Sequence, residues 1–305
     1  HAEQERVIRE TLRALGYTEA ISSTFVSAEE AAAFGCAKAG AVAMGNPLSE
    51  EAGMLRPSLA SGMTTMLAHN LHRDVATVRL FEMGTVFTGS TAEVREETGL
   101  AIGATGGAAA NPLHGADDAL IFEVKGALET LLGRFAGTVS FGMNDLPKWI
   151  APGRGARALL DGKSVAVFGE LSAEELQRRK LRQACVVAEV QARELLTRTL
   201  KQPAIRELSR YQAVERDFSF VFPDSVRWEA IAAAVTGLKI AELRSVKPVE
   251  IFRDAKGKAV PAAHYSLLLR VIFQSSERTL TEDELTRGSE KIVAALTALG
   301  GAQRA

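Results

Sequence analysis

The sequence predicts an α+β protein made of two antiparallel-sheet domains, and three observations carry that expectation. Residues 1–204 read as many strands with helices interspersed and no regular βα alternation, which argues against a doubly wound parallel sheet. From Ile205 onward the order is strand, helix, two strands, helix and a short closing strand, the split βαβ of a ferredoxin-like βαββαβ domain. Between the two, Thr199 to Ser209 is polar and contains Pro203, the composition of a junction. The expected domains are therefore 1–204 and 205–305.

Over residues 3–15, Val7, Ile8, Leu12 and Leu15 recur at helical spacing, and Gly16 follows as a C-terminal cap. Ile21 to Val26 reads as a strand. Ser27 then serves as N-cap of a short Ala-rich helix, with Glu30 three residues on as in a capping box. Ala41 to Met44 is expected as a second short strand, ended by Gly45-Asn46-Pro47. Met54 to Leu59 leads into a helix carrying Leu59, Met63, Met66, Leu67 and Leu71, which runs out in the polar stretch His69 to Asp74. Along the long strand Thr77–Phe87, Val78, Leu80, Met83 and Val86 do not alternate cleanly. Either both faces are covered or Gly84 marks a bulge. Leu100–Gly106 is the next strand, Gly107–Asp118 the expected mobile loop, and Ile121–Leu132 a helix. Strands follow at 138–142, 156–160, 165–171 and 184–190, with a helix near 173–180.

In the second domain, Phe218-Ser-Phe-Val-Phe222 is β-branched and aromatic, which suits a pleated, half-buried surface, and Pro223-Asp224 stops it. An apolar-periodic helix comes next. Phe252 lies on a strand leading into a turn at Asp254–Gly257. Thr281, followed by Glu282-Asp283-Glu284, is a natural N-cap with a Glu at N3. The helix it opens carries Leu285, Ile292, Val293 and Leu296 and covers one face of the sheet.

A chain of 305 residues, 47% apolar and 24% charged, has the make-up of an ordinary globular protein with about two cores. Net charge is −1, so no global field recruits nucleic acid or an anionic membrane. The second domain holds 15 basic against 13 acidic residues, a balance that by itself does not suggest RNA. Cys36 and Cys185 stand far apart with no CxxC spacing, which argues against a zinc site or a disulfide framework and fits a reducing compartment. No apolar run reaches membrane-spanning length, so no membrane partner is expected. The chain opens without Met, directly on a charged amphipathic helix, and is read as a piece of a longer polypeptide.

Two motifs stand out in the second domain: Tyr211-Gln-Ala-Val214-Glu-Arg216-Asp217 at its entry, and Gln274-Ser-Ser-Glu-Arg278-Thr279-Leu280-Thr281 later. Together they resemble the ferredoxin-fold anticodon-binding domain that closes the beta subunit of bacterial phenylalanyl-tRNA synthetase. The first domain continues the resemblance in Asn46-Pro47-Leu48-Ser49, Leu55-Arg56-Pro57-Ser58-Leu59, Asn70-Leu71-His72-Arg73, Val78 to Gly84, Pro152-Gly153-Arg154 and Gly169-Glu170-Leu171. It is similar to that subunit's class II synthetase-like module, a catalytic core without the catalysis. The resemblance covers nearly the whole chain. What it lacks is the family's N-terminal portion, with its editing module and magnesium ligands.

Several stretches carry residues of catalytic type. An adenylating class II site needs one Arg on the α-phosphate and a second, after a Gly-rich strand, over the nucleotide, because preorganised cations stabilise developing phosphate charge. Arg79-Leu-Phe-Glu82 occupies the first place with Arg-x-x-Glu rather than Arg-x-Glu spacing. It is read as an Arg–Glu pair structuring a strand. Gly153-Arg-Gly-Ala-Arg157 is the candidate for the second, with no acidic residue before it and no clear helix after it. The same stretch fits G-x-G-x-x-A through Ala158 but follows a Pro, so the dinucleotide reading fails. Gly162-Lys163-Ser164 lacks the earlier Gly of a phosphate loop and is a turn. His72-Arg73-Asp74 imitates a kinase catalytic loop without its Asn. His69 and His72, at i and i+3, are read as polar helix-end residues rather than metal ligands. No catalytic, cofactor-binding or metal-binding residue is expected in this chain.

Binding chemistry is easier to argue. Single-stranded RNA is held by aromatic platforms for bases and cations for phosphates, on the open face of a small sheet. Between Lys239 and Lys258 six basic residues (Lys239, Arg244, Lys247, Arg253, Lys256, Lys258) stand against three acidic ones, with Phe252 among them. From these residues alone Phe252 is equally well a platform or ordinary core. The resemblance implies the platform. In the family an acidic residue, an aromatic two positions on and a Ser of the next strand meet the first anticodon base, and these fall on Glu250, Phe252 and Ser266. The family's aromatic is commonly Tyr, so Phe252 keeps the stack and loses a hydroxyl contact. A carboxylate at Glu250 accepts from a guanine's N1–H and N2–H₂. Arg216-Asp217 and Arg278 to Thr281 are read as structural.

What the resemblance implies is the non-catalytic C-terminal part of the beta subunit. Its first domain scaffolds the catalytic alpha subunit of an α₂β₂ enzyme, its second binds the anticodon region of tRNA(Phe), and it works in the cytoplasm. ATP and magnesium serve the whole enzyme in its partner chain. Two rivals remain: a protein-interaction scaffold without an RNA role, and a self-sufficient adenylating enzyme.

Overall fold

The computed structural model describes residues 1–35, 40–47, 49–107, 116–205, 207–254 and 257–304. Cys36, Leu48, Arg206, Ala255, Lys256 and all but the two ends of the expected 107–118 loop lie outside the described residues. The chain divides into two compact units, one within His1–Pro203 and one from Ala204 onward.

The first unit opens with α1 (Ala2–Ala14), β1 (Thr18–Glu19), β2 (Phe25–Val26) and α2 (Ala28–Phe34), followed by β3 (Met54–Leu55) and α3 (Leu59–Leu71). Then come β4 (Val78–Ser90), β5 (Glu93–Thr105), α4 (Ala116–Leu132), β6 (Val139–Gly142), β7 (Ile150–Leu160), β8 (Lys163–Leu171), α5 (Ala173–Arg178), β9 (Cys185–Val190) and α6 (Ala192–Leu196). Seven strands form one sheet in the order β1-β4-β5-β9-β8-β7-β6, antiparallel except for the β1–β4 pair.

Helices cover both faces of this sheet, which explains why its strands do not alternate apolar with polar. Phe81, Ile102, Val186 and Ala188 pack with Ile8 and Leu12 of α1 and Val124, Leu128 and Leu131 of α4. Val78, Ala101, Val187 and Val167 face the other way, against Leu59, Met63 and Leu67 of α3 and Phe34 of α2. The β4–β5 register runs unbroken from Val78↔Thr105 to Ser90↔Glu93, so Gly84 marks no bulge. Gly84 serves a close approach instead: a Cβ there would collide with the guanidinium of Arg56.

Two short strands expected near the N-terminus dissolve. Ile21 to Val26 is not one strand: Thr18–Glu19 pairs with Leu80–Phe81, Phe25–Val26 pairs with Met54–Leu55, and Ile21 between them is 90% exposed. The polar groups of Ser22 are used by Arg56 and Glu82 rather than by a ladder. Ala41 to Met44 shrinks to a single bridge, Ala43↔Met54, on the edge of β3 away from β2, since β3 offers only two residues to pair with. Elsewhere elements run longer than expected: β5 begins at Glu93, α4 at Ala116 and β7 at Ile150.

The second unit contains β10 (Val214–Pro223), α7 (Trp228–Thr236), β11 (Leu243–Phe252), β12 (His264–Phe273), α8 (Glu282–Ala298) and β13 (Ala302–Gln303). Its sheet order is β11-β12-β10-β13, wholly antiparallel, the ferredoxin-like arrangement. Period two sends Phe218, Phe220 and Phe222 to one face, with Tyr265, Leu267, Leu269, Val271 and Phe273 of β12. There they bury against Ile231 and Val235 of α7 and Leu285, Ile292 and Leu296 of α8. The N-terminus of α8 is the capping box the sequence predicts: Thr281 and Glu284 exchange side-chain and backbone hydrogen bonds. Among the described residues no helix is long and apolar enough to cross a membrane.

Candidate nucleic-acid interface

Because both helices of the second unit lie on the face holding the phenylalanines, neither covers the other face of its sheet. Pairing registers assign that open face. Asp217, Ser219 and Val221 of β10 lie across from Arg270, Leu268 and Ser266 of β12, and on the far side of β12 Phe252 sits opposite Ser266 and Glu250 opposite Leu268.

The three residues singled out from the sequence meet here. Glu250, Phe252 and Ser266 line one depression of about 240 Å³, together with Ser219, Leu268 and Arg304. Phe252 is 45% exposed, while Ser266 across from it is 7% exposed. Arg304 Nη1 donates to Ser266 Oγ at 3.4 Å. The site therefore combines an exposed ring, a carboxylate that only accepts, a hydroxyl and a guanidinium that only donates. Such a set can stack a flat heterocycle and read its polar edge. Below it, Arg270 is clamped by Asp217 through Nε–Oδ1 at 2.7 Å and Nη2–Oδ2 at 2.8 Å, and the guanidinium holds that carboxyl below the usual carboxylate range. On the helix side the Tyr265 hydroxyl donates to Val226 O at 2.7 Å, and Arg253 stacks 5.2 Å from its ring centre and pairs with Asp224. These ties hold the strand ends that carry Phe252 and Ser266.

Ser219, Leu268 and Arg304 were not anticipated. Ser219 was legible as an outward position of Phe218-Ser-Phe-Val-Phe222. Arg304 was not, since only the pairing of Ala302–Gln303 with Phe220–Val221 carries it, by Arg304 N to Ser219 O at 2.9 Å, back over the sheet.

Arg79 and Glu82 do not pair with each other, which corrects the reading of Arg79-Leu-Phe-Glu82. Three residues apart on a strand they project to opposite faces. Glu82 meets Arg56 at 2.7 Å, and Arg79 meets Glu123, with Nη2–Oε2 at 2.8 Å. Arg79 Nη1 also donates to Thr105 O at 2.6 Å. Arg154 pairs with Glu170 at 2.5 Å. Asp161 and Gly162, at φ 53° and 79°, form the tight turn between β7 and β8. His69 Nδ1 lies 2.9 Å from Arg73 at the end of α3, and His72 caps that helix. As read, Arg216 and Arg278 are structural: they pair with Glu282 at 2.7 Å and Glu284 at 2.5 Å.

Comparison with known proteins gives two family matches. The phenylalanyl tRNA synthetase beta chain CLM domain covers residues 1–192, and the ferredoxin-fold anticodon binding domain covers residues 209–304. Among curated relatives, the phenylalanine–tRNA ligase beta subunit of Cereibacter sphaeroides is 32% identical over 98% of this chain and 38% of its own length. That of Ruegeria pomeroyi is 34% identical over 97% and 37%, and that of Neisseria meningitidis serogroup A is 30% identical over 96% and 36%. The chain thus spans under two-fifths of the relatives it matches. Among solved structures, pyrrolysyl-tRNA synthetase from Desulfitobacterium hafniense aligns with a TM-score of 0.47 at 15% identity, over 64% of this chain and 67% of its own. With the first match alone taking in more than half of its residues, the chain belongs to the phenylalanyl-tRNA synthetase beta chain family.

Proposed function

We propose that this chain is the non-catalytic C-terminal part of a phenylalanine–tRNA ligase beta subunit, in which the second unit binds the anticodon region of tRNA(Phe). The observation that carries this reading is the exposed Phe252 ring, opposite Ser266 and beside Glu250, in one depression on an open sheet face. A base stacks on the ring. Glu250 accepts from a guanine edge, and Ser266 and Arg304 supply the neighbouring polar contacts. In this reading the first unit scaffolds the catalytic alpha subunit of an α₂β₂ enzyme in the cytoplasm, and ATP and magnesium are used in the partner chain. The engagement of Arg79 by Glu123 and Thr105 O supports a module without phosphate chemistry, since that guanidinium has its donors occupied.

The test is Phe252→Ala in the 305-residue chain, with binding of a synthetic hairpin carrying the anticodon stem and loop of tRNA(Phe). Loss of one stacked base predicts about 1–3 kcal/mol, or roughly 5- to 150-fold in Kd. Unchanged binding would favour a scaffold without an RNA role. Pyrophosphate exchange by this chain alone, with phenylalanine and ATP, would instead reveal a self-sufficient adenylating enzyme.

A further inference from the structure

Bringing Glu250 and Phe252 onto the open face requires an irregularity in β11. Lys247 lies opposite Arg270 and Glu250 opposite Leu268, so β11 spends three residues where β12 spends two, with a register shift between Pro248 and Glu250. In an unbroken strand Lys247, Val249 and Ile251 would share a face. The bulge, beside a proline that has no N–H to give a ladder, puts Lys247, Glu250 and Phe252 on the same side instead. Two β12 residues separate their partners, so Lys247 stands roughly 7 Å from Glu250 along the face.

This placement sets Lys247 directly across from Arg270, cation against cation, which weakens a strand pair. Both carboxylates near Arg270, Asp217 and Glu215, approach it from β10, on its far side. Lys247 is exposed and has no ion-pair partner among the described residues. On this face β10 presents Glu215 and Asp217, both engaged by Arg270, while β11 presents the Lys247 ammonium, then Glu250 beside the depression and the exposed Phe252 at the strand end. With Glu250 roughly 7 Å away along the face and facing the base in this reading, a phosphate of the segment whose base lies on Phe252 is the anion that can pair with that ammonium.

We propose that Lys247 contacts a backbone phosphate of the single-stranded RNA held at Phe252, so that the RNA backbone leaves the depression along β11 rather than across β10. The inference rests on the anticodon reading and adds a direction to it. A phosphate contact carries no base information, whereas it contributes to the salt dependence of binding.

The experiment measures binding of the same hairpin to the 305-residue chain, to Lys247→Gln and to Lys247→Arg across a salt series. Lys247→Gln is expected to flatten the slope of log K against log salt by about 0.7, so that a fourfold rise in salt weakens it about 2.6-fold less than the parent. It should weaken hairpins with a substituted first anticodon base by the same factor as the original, and Lys247→Arg should restore the slope. An unchanged slope, with Phe252→Ala still losing affinity, overturns the inference and leaves the anticodon reading standing. A parent chain that does not bind, or a Phe252→Ala variant that binds as the parent does, removes both.

Discussion

Neutralising one side of the Arg56–Glu82 pair is expected to destabilise the first unit severely. Arg56 is 5% and Glu82 1% exposed, their contact is 2.7 Å, and each has further partners: Arg56 Nε donates to Thr85 O at 2.8 Å, and Ser22 Oγ donates to Glu82 Oε2 at 2.6 Å. Glu82→Gln conserves volume but strands a buried guanidinium, at a cost of about 3–5 kcal/mol. With an m value of about 2 kcal/mol/M, the urea midpoint falls by about 2 M. Arg56→Met should cost a similar amount by stranding the carboxylate. The double variant Arg56→Met/Glu82→Leu exchanges the pair for apolar packing and should lose far less than the sum, with a coupling of at least about 2 kcal/mol. The chain has two tryptophans, Trp149 in the first unit and Trp228 in the second, so fluorescence in a Trp228→Phe background follows the first unit alone. Single variants within 1 kcal/mol of the parent, or strictly additive losses, would refute the argument that this contact is desolvated and mutually dependent.

Further outcomes follow from the titrating groups. Burial pushes the Glu189 carboxyl up, against the hydroxyl of Ser58 and the Leu59 N–H that donates to it at 3.0 Å. A raised folded value means that its contribution is greatest below the ordinary 4.5 and is lost as pH rises through the folded value. Glu189→Gln, which keeps an acceptor for Leu59, should therefore leave stability at pH 7 unchanged or higher; a clear loss would show that the ionised form is the stabilising one. Glu284 has the opposite sign: Arg278 first, then the Thr281 N–H, draws its carboxyl down from 4.5 to about 2. Its contribution is present above 4.5 and is lost as pH falls toward 2. Acid titration of α8 helicity should lose part of its pH dependence in Arg278→Ala, and an unaltered profile would count against that assignment.

Much of the second unit could be read from neighbouring residues, because its signals are local. Thr281 and Glu284 form their capping box within four residues, and the alternation in Phe218-Ser-Phe-Val-Phe222 already sorts a buried face from an open one. The strand-and-helix order is that of the observed sheet. In the first unit, helices on both faces of the sheet erase alternation, so β5 and β7 run well beyond their apolar runs, and Ile21 to Val26 imitates a strand whose residues in fact serve one two-residue pairing and a polar network. Composition was silent about RNA, and what drew attention to Glu250, Phe252 and Ser266 was motif resemblance, not charge.

Local pattern thus set the kind and order of the elements, since helix and strand periodicities are written into spacings of two to four residues. Partner identity required the folded chain. Glu82 passes over Arg79, three positions away, for Arg56, twenty-six positions away, because a strand turns successive side chains to opposite faces. The bulge at Val249, which aligns Lys247 with Glu250 and Phe252, and the return of Arg304 beside Ser266 exist only through register between strands distant in sequence. Such pairings depend on which strands lie side by side, and no short window of residues contains both of them.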